Sequence, residues 1–134
     1  MERSLSSTDV KDYVKMAALA VRGLDPEIAL DLAKRLGISQ ERFSELAQIP
    51  KTTLHRRMKD RQSLDQNESE RVIRLFTVYQ KAVDVFEDED RAARWFSSHP
   101  KALAGKTPLE FMQTEPGARY VERLLGRIEH GVFS

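Results

Sequence analysis

The 134-residue chain has no cysteine, which excludes disulfides and thiolate metal sites. It has no excess of either charge. Its 22 Lys and Arg face 21 Asp and Glu, a formal net charge of +1. Global charge therefore decides nothing about nucleic acid, and the local distribution has to. No apolar run reaches transmembrane length, and the first 21 residues carry Glu2, Asp9, Lys11, Asp12 and Lys15, too many charges for a signal peptide. The expectation is a cytoplasmic protein with no membrane partner. No segment alternates apolar and polar residues with β-branched enrichment, so no strand is expected. The three histidines, His55, His99 and His130, lie far apart and have no carboxylate at ligand spacing, which argues against a metal site. The stretch from Pro100 to Thr107 ends like a phosphate-binding loop, but Pro100 stands where its first glycine belongs and no strand precedes it. The acidic run Glu87 to Asp90 reads as one helix end and the next helix start rather than a magnesium site. No Ser/His/Asp set is suggested. The chain is expected to have no catalytic residue and no cofactor, and not to be an enzyme.

What remains is helix after helix, in a chain long enough for one domain, or a small domain with an appendage. Thr8 or Ser7 is expected to cap a helix that runs through about Val21, with Val10, Val14, Ala17 and Val21 on one face. Gly23 and Leu24 break it. Asp25-Pro26 restarts with a cap and a proline at the first helical position, and Ile28, Leu32 and Leu36 make a stripe with Ala29 and Ala33 up to Gly37. Ser39 caps a short helix over 40–47, and 51–61 forms another, with Leu54 and Met58 inward. A long helix over 66–86 carries a wide stripe centred on Val72, Phe76, Tyr79, Val83 and Phe86. Such width implies burial on more than one side, so this helix joins the two halves of the chain. Asp90 is expected to cap a helix through Ser98 bearing Ala93, Trp95 and Phe96.

Residues 38–58 fit the mechanics of a helix-turn-helix. Phe43 is the buried residue of the first helix and Ser44 the small residue at the crossing. Gln48 and Ile49 make the turn, and Leu54 is the buried residue of the second helix. Gln48 occupies a position usually taken by glycine, where a left-handed backbone costs a non-glycine residue about 1 kcal/mol. The outward set is Lys51, Thr52, Thr53, His55, Arg56, Lys59 and Arg61. Residues 51–61 hold five Lys and Arg and one acid, Asp60, on a chain that is otherwise near neutral. The N-terminal part of such a helix meets base edges, so Lys51, Thr52, His55 and Arg56 are the candidate readers. Arg57, Lys59 and Arg61 are better placed for phosphates. The alternative is a solvated face on an all-α core; spacing and charge together favour DNA.

The C-terminal segment opens on two helix starts. Thr107-Pro108-Leu109-Glu110 is a capping box with proline at the first helical position, and Thr114-Glu115-Pro116 starts a second helix. There Ala118, Val121, Leu125 and Ile128 share a face with Leu124 beside it. Gly131 ends that helix, and Val132 and Phe133 lie beyond. Either this apolar pair folds back to complete the core, or it enters a partner's concave site with Phe133 as anchor.

This segment resembles the C-terminal toxin-binding domain of the MbcA/ParS/Xre family of bacterial antitoxins. The likeness is carried by three blocks in order: residues 103–110, LAGKTPLE; residues 114–118, TEPGA; and residues 124–134, LLGRIEHGVFS. It continues upstream through the helix-turn-helix and covers most of the chain beyond about Leu24. The resemblance implies an antitoxin that sequesters a RES-domain, NAD-consuming toxin by occluding its active site. It implies toxin contact by Arg127, Glu129, His130, Val132, Phe133 and Ser134. The expected architecture is all-α, an Xre-like helix-turn-helix domain followed by a small helical toxin-binding domain. The expected division is 1–22 as an N-terminal arm, 23–88 as the DNA-binding domain with its long connecting helix, and 89–134 as the toxin-binding domain. Expected partners are the RES-domain toxin, operator DNA and a second copy of the chain. The rival reading is a helix-turn-helix transcription regulator whose C-terminal part only dimerises.

Overall fold

The computed structural model describes residues 10–131. Among them it is all-α, with no strand. The helices are α1 (Val10–Arg22), α2 (Pro26–Leu36), α3 (Gln40–Ala47), α4 (Lys51–Lys59), α5 (Gln66–Phe86), α6 (Glu89–Phe96), α7 (Pro108–Phe111) and α8 (Glu115–Glu129). A 3₁₀ turn at Lys101–Leu103 lies between α6 and α7.

Most ends are set by local chemistry. Asp25 caps α2 by accepting from the Glu27 N–H at 2.9 Å, with Pro26 at the first helical position, and left-handed Gly37 closes it. Ser39 caps α3. Asp65 and Glu68 form a reciprocal capping box on α5, and Thr107 and Glu110 form another on α7. Thr114 caps α8, as its sequence indicates. The cap of α6 is Asp88 rather than Asp90. Either acid suits a helix start, but Asp88 has the extended backbone that aims its carboxylate at the Arg91 N–H, 2.8 Å away. The helix expected over 51–61 stops at Lys59, because Arg61 takes a left-handed backbone and the Gln62 N–H turns back to the Arg57 carbonyl.

α5 is the spine. α1, α3, α6 and α8 pack against it, and its buried residues are Glu68, Ser69, Val72, Leu75, Val78, Tyr79 and Ala82. The wide stripe is confirmed but its centre is rotated: Phe76, Val83 and Phe86 are half-buried while Leu75, Val78 and Ala82 are fully inside. One cluster of buried residues runs from Leu24 through Phe43, Ile49 and Leu54 to Phe96, Met112, Val121 and Leu125. In α8 the expected face is buried, with Ile128 at its edge. In α6 it is Ala92 and Phe96 that are buried, with Ala93 and Trp95 half-covered. The 22–24 and 63–65 links are tied together. Leu64 N–H donates to the Leu24 carbonyl at 2.8 Å, and Leu24 N–H donates to the Ser69 hydroxyl at 3.0 Å. A Cβ at Gly23 would sit 2.5 Å from the Leu64 oxygen, and its φ is +95°, so glycine is required there.

α1 corrects its sequence expectation. Val14 and Val21 are 63% and 71% exposed, and Ala17 is exposed too. The face that meets α5 is Met16, Leu19 and Ala20, with the Met16 sulfur 3.5 Å from the Thr77 hydroxyl. Ile28 is likewise exposed. The expected cap at Ser7 or Thr8, and the side chain of Val10, lie outside the described residues.

Candidate functional site

α3 and α4 are joined by a turn held from three sides. Gln48 is left-handed at φ 56°, and its N–H bonds to the Ser44 carbonyl. The Ser44 hydroxyl donates to the Ile49 carbonyl at 2.6 Å, and Ile49 is fully buried beneath the turn. Arg71 of α5 donates from Nε to the Ala47 carbonyl at 2.7 Å and from Nη2 to the Gln48 carbonyl at 3.1 Å. These carbonyls carry the partial negative charge of the α3 C-terminus, so a guanidinium satisfies both their hydrogen bonding and their dipole.

The turn presents α4 with Leu54 fully buried and its opposite face outward. Thr52, His55, Arg56 and Lys59 are exposed on α4, Arg61 is exposed just past its end, and Lys51 and Thr53 are half-buried. Pro50 at the N-cap offers no side-chain acceptor. Two candidate readers touch α3. Lys51 Nζ lies 3.0 Å from a Glu41 oxygen, and His55 Nε2 lies 2.9 Å from the Gln40 side-chain oxygen. The hydrogen bond from Lys51, then its charge, holds the Glu41 carboxyl below the usual glutamate range. Both partners stand in water, so a phosphate can displace Glu41 at little cost.

Arg57 is placed differently from the other bases. Its Nε lies 2.9 Å from Glu68 Oε1 and its Nη2 donates to Glu68 Oε2 at 3.2 Å, with the Arg57 side chain 18% exposed. Glu68 also accepts from the Asp65 N–H as part of its capping box. Arg57 thus anchors α4 to the start of α5. A charge so paired is costly to uncouple.

At the other end of α5, Lys81 Nζ is 3.1 Å from Glu129 Oε1. Arg127 sits with its guanidinium carbon 5.7 Å from the Tyr120 ring centroid. Glu129, His130 and Gly131 are exposed. Val132, Phe133 and Ser134 lie outside the described residues. Glu68 and Lys81 are separated by about 20 Å at 1.5 Å per helical residue, so the candidate DNA helix, tied to Glu68, and the last turn of α8, tied to Lys81 through Glu129, lie toward opposite ends of the spine.

Three residues were not singled out from sequence. Arg71, Arg74 and Gln113 link the turn to the C-terminal segment. Gln48 donates to the Gln113 carbonyl at 3.4 Å, Gln113 donates to the Glu45 carbonyl at 3.5 Å, and Arg74 Nη2 donates to the Gln113 carbonyl at 3.3 Å. Burial lowers the Arg74 pKa, opposed by nearby Glu115. The available signal was two arginines three residues apart inside an otherwise apolar stripe. No group of metal-ligating side chains occurs among the described residues. No described helix is long and apolar enough to cross a membrane.

Two family models match the chain. Residues 15–76 match the antitoxin Xre-like helix-turn-helix domain, and residues 81–131 match the antitoxin Xre/MbcA/ParS C-terminal toxin-binding domain. Three curated relatives, each called Antitoxin Xre, are similar in sequence. The one from Yersinia enterocolitica serotype O:8 / biotype 1B is 41% identical over 87 residues, 64% of this chain and 59% of the relative. The one from Photorhabdus laumondii subsp. laumondii is 38% identical over 90 residues, 66% of this chain and 61% of the relative. The one from Pseudomonas putida is 34% identical over 83 residues, 62% of this chain and 52% of the relative. The matched part is thus under two thirds of each relative's length.

Proposed function

Because the chain belongs to the Xre/MbcA/ParS antitoxin family, with a helix-turn-helix domain and a C-terminal domain, we propose that it is the antitoxin of a type II toxin–antitoxin pair. It binds a RES-domain, NAD-consuming toxin, occludes that enzyme's active site, and represses its own operon by binding operator DNA in the cytoplasm. It performs no catalysis and takes no cofactor. What supports this reading is the arrangement along α5, with an exposed basic helix toward one end and the end of α8, at Glu129, toward the other. Toxin and DNA can then be held together.

In this reading residues 23–88 bind DNA, residues 89–134 bind toxin, and residues 1–22 form an arm. α4 enters the major groove with Lys51, Thr52, His55 and Arg56 toward base edges, Lys59 and Arg61 toward phosphates, and Thr53 on the same DNA-binding face. Arg57 serves indirectly, by fixing α4 on α5 through Glu68. The toxin is met by Arg127, Glu129, His130, Val132, Phe133 and Ser134, with Phe133 as the aromatic anchor. Two copies read a palindrome about a two-fold axis.

The test is deletion of residues 129–134, with the truncated chain co-expressed with the product of the adjacent gene. Loss of growth protection with helical content and operator binding retained supports the reading. Protection that survives the deletion contradicts the tail's role. A full-length chain that gives no protection would favour a transcription regulator whose C-terminal part only dimerises.

A further inference from the structure

Four large apolar side chains stand exposed among the described residues, and three are on α1: Tyr13 at 54%, Val14 at 63% and Val21 at 71%. Val14 and Val21 are seven residues apart, with exposed Ala17 and Ala18 between them, so they form one line along the helix. The core claims the other face, through Met16, Leu19 and Ala20. A surface stripe that scattered apolar residues would not produce marks an interaction face.

The two flanks of the stripe differ. On one side stand exposed Lys15 and Arg22, also seven apart. On the other, Tyr13 and Ala17 form the near wall of a groove of about 560 Å³ between α1, α5 and α8, with Glu70, Glu115 and Glu122 on its far side. Arg74 and Arg119 line it as well. Both are drawn to Glu115, Arg119 at 2.8 Å and Arg74 at 3.9 Å, so the acids exceed the bases. Glu122 is half-buried there beside Glu115.

We propose that α1 is the self-association surface of this protein, two copies pairing their α1 helices in parallel. Val14 meets Val14 and Val21 meets Val21 across the two-fold axis, while Lys15 and Arg22 of each copy lie over the acidic groove of the other. Charge selects the parallel arrangement. In an antiparallel two-fold pair like flanks meet, which stacks the Lys15 and Arg22 of both copies against each other. In a parallel pair opposite flanks meet, basic against acidic. Ala17 and Ala18 let the helices approach closely. This names the surface for the two-copy part of the proposed function and rests on that part alone.

The absence of cysteine from the chain allows a clean test. Full-length Val14→Cys and Val21→Cys are oxidised separately and run on non-reducing gels, alongside sedimentation of the unmodified chain and of Val14→Glu. The proposal predicts a dimer, near-complete cross-linking of each single-cysteine variant with itself, and a monomeric Val14→Glu of unchanged helicity. A dimer in which neither variant cross-links alone, but a mixture of the two does, overturns the parallel arrangement. A dimer that shows no cross-link and survives Val14→Glu overturns the surface and leaves the two-copy reading intact. A chain that is monomeric up to high micromolar concentration overturns both.

Discussion

Arg71 closes the C-terminus of α3 from across the core, its Nε 2.7 Å from the Ala47 carbonyl and its Nη2 3.1 Å from that of Gln48. The turn before the candidate recognition helix is therefore shaped by a side chain 24 residues downstream, on the helix that also carries the C-terminal domain.

Removing that clamp should be felt in two measurements. Arg71→Ala loses two charge-assisted hydrogen bonds and leaves carbonyls unpaired, a cost of about 2 kcal/mol in urea unfolding. Operator affinity should fall as well, because α4 no longer leaves the turn at a fixed angle. Arg71→Lys should recover part of the stability, since a single ammonium can satisfy one carbonyl but not the fork.

Gln48→Gly should stabilise the protein. At φ 56° a glutamine bears a left-handed backbone that glycine adopts freely. The exposed 3.4 Å bond to Gln113 is a weak compensation. The expected gain is about 0.5–1 kcal/mol, read as a rise in thermal midpoint. A fall would mean that the link to Gln113 is worth more than the strain.

Gly117→Ala should be among the most damaging single-methyl additions. Its Cβ would fall 1.9 Å from the Phe111 carbonyl oxygen and 2.9 Å from the carbonyl carbon. Backbone cannot yield as a flexible side chain can, so α7 and α8 must separate, at a cost of about 3 kcal/mol. Thermal unfolding of the full chain would show it, and toxin neutralisation should weaken with it.

Glu122→Gln should change how stability depends on pH. Burial, and then the charge of Glu115, raise the Glu122 pKa, with Lys81 and Arg119 opposing. A carboxyl raised on folding favours the folded state when protonated. That contribution is complete below the ordinary glutamate pKa of about 4.3 and is lost as pH rises through the folded value. The glutamine variant removes this loss, so it should be more stable than the parent at neutral pH and equal to it in acid. Urea midpoints across that range measure the difference.

The helix boundaries were legible because caps are local. Asp25, Ser39, Thr107 and Thr114 each act on an N–H within three residues, so spacing alone reveals them. Asp88 and Asp90 could not be separated that way, since either carboxylate suits the position and backbone geometry chooses. α1 departs from its expected orientation for a different reason. It is apolar on more than half its circumference, and periodicity cannot say which part of a wide stripe the core takes. Thr77 and the neighbouring surface of α5 fit Met16, Leu19 and Ala20, which left Val14 and Val21 outside. Among the candidate site residues, Arg57 counted toward a basic helix by charge alone. Only the fold reveals that Glu68, one turn into a different helix, claims it.

The central claim is tested most directly by co-expressing the tagged chain with the product of the adjacent gene and purifying on the tag. The account predicts a stoichiometric partner that, expressed alone, arrests growth and depletes cellular NAD, and that is silent in the complex. Recovery of the chain alone, or with a partner that is harmless by itself, would contradict it.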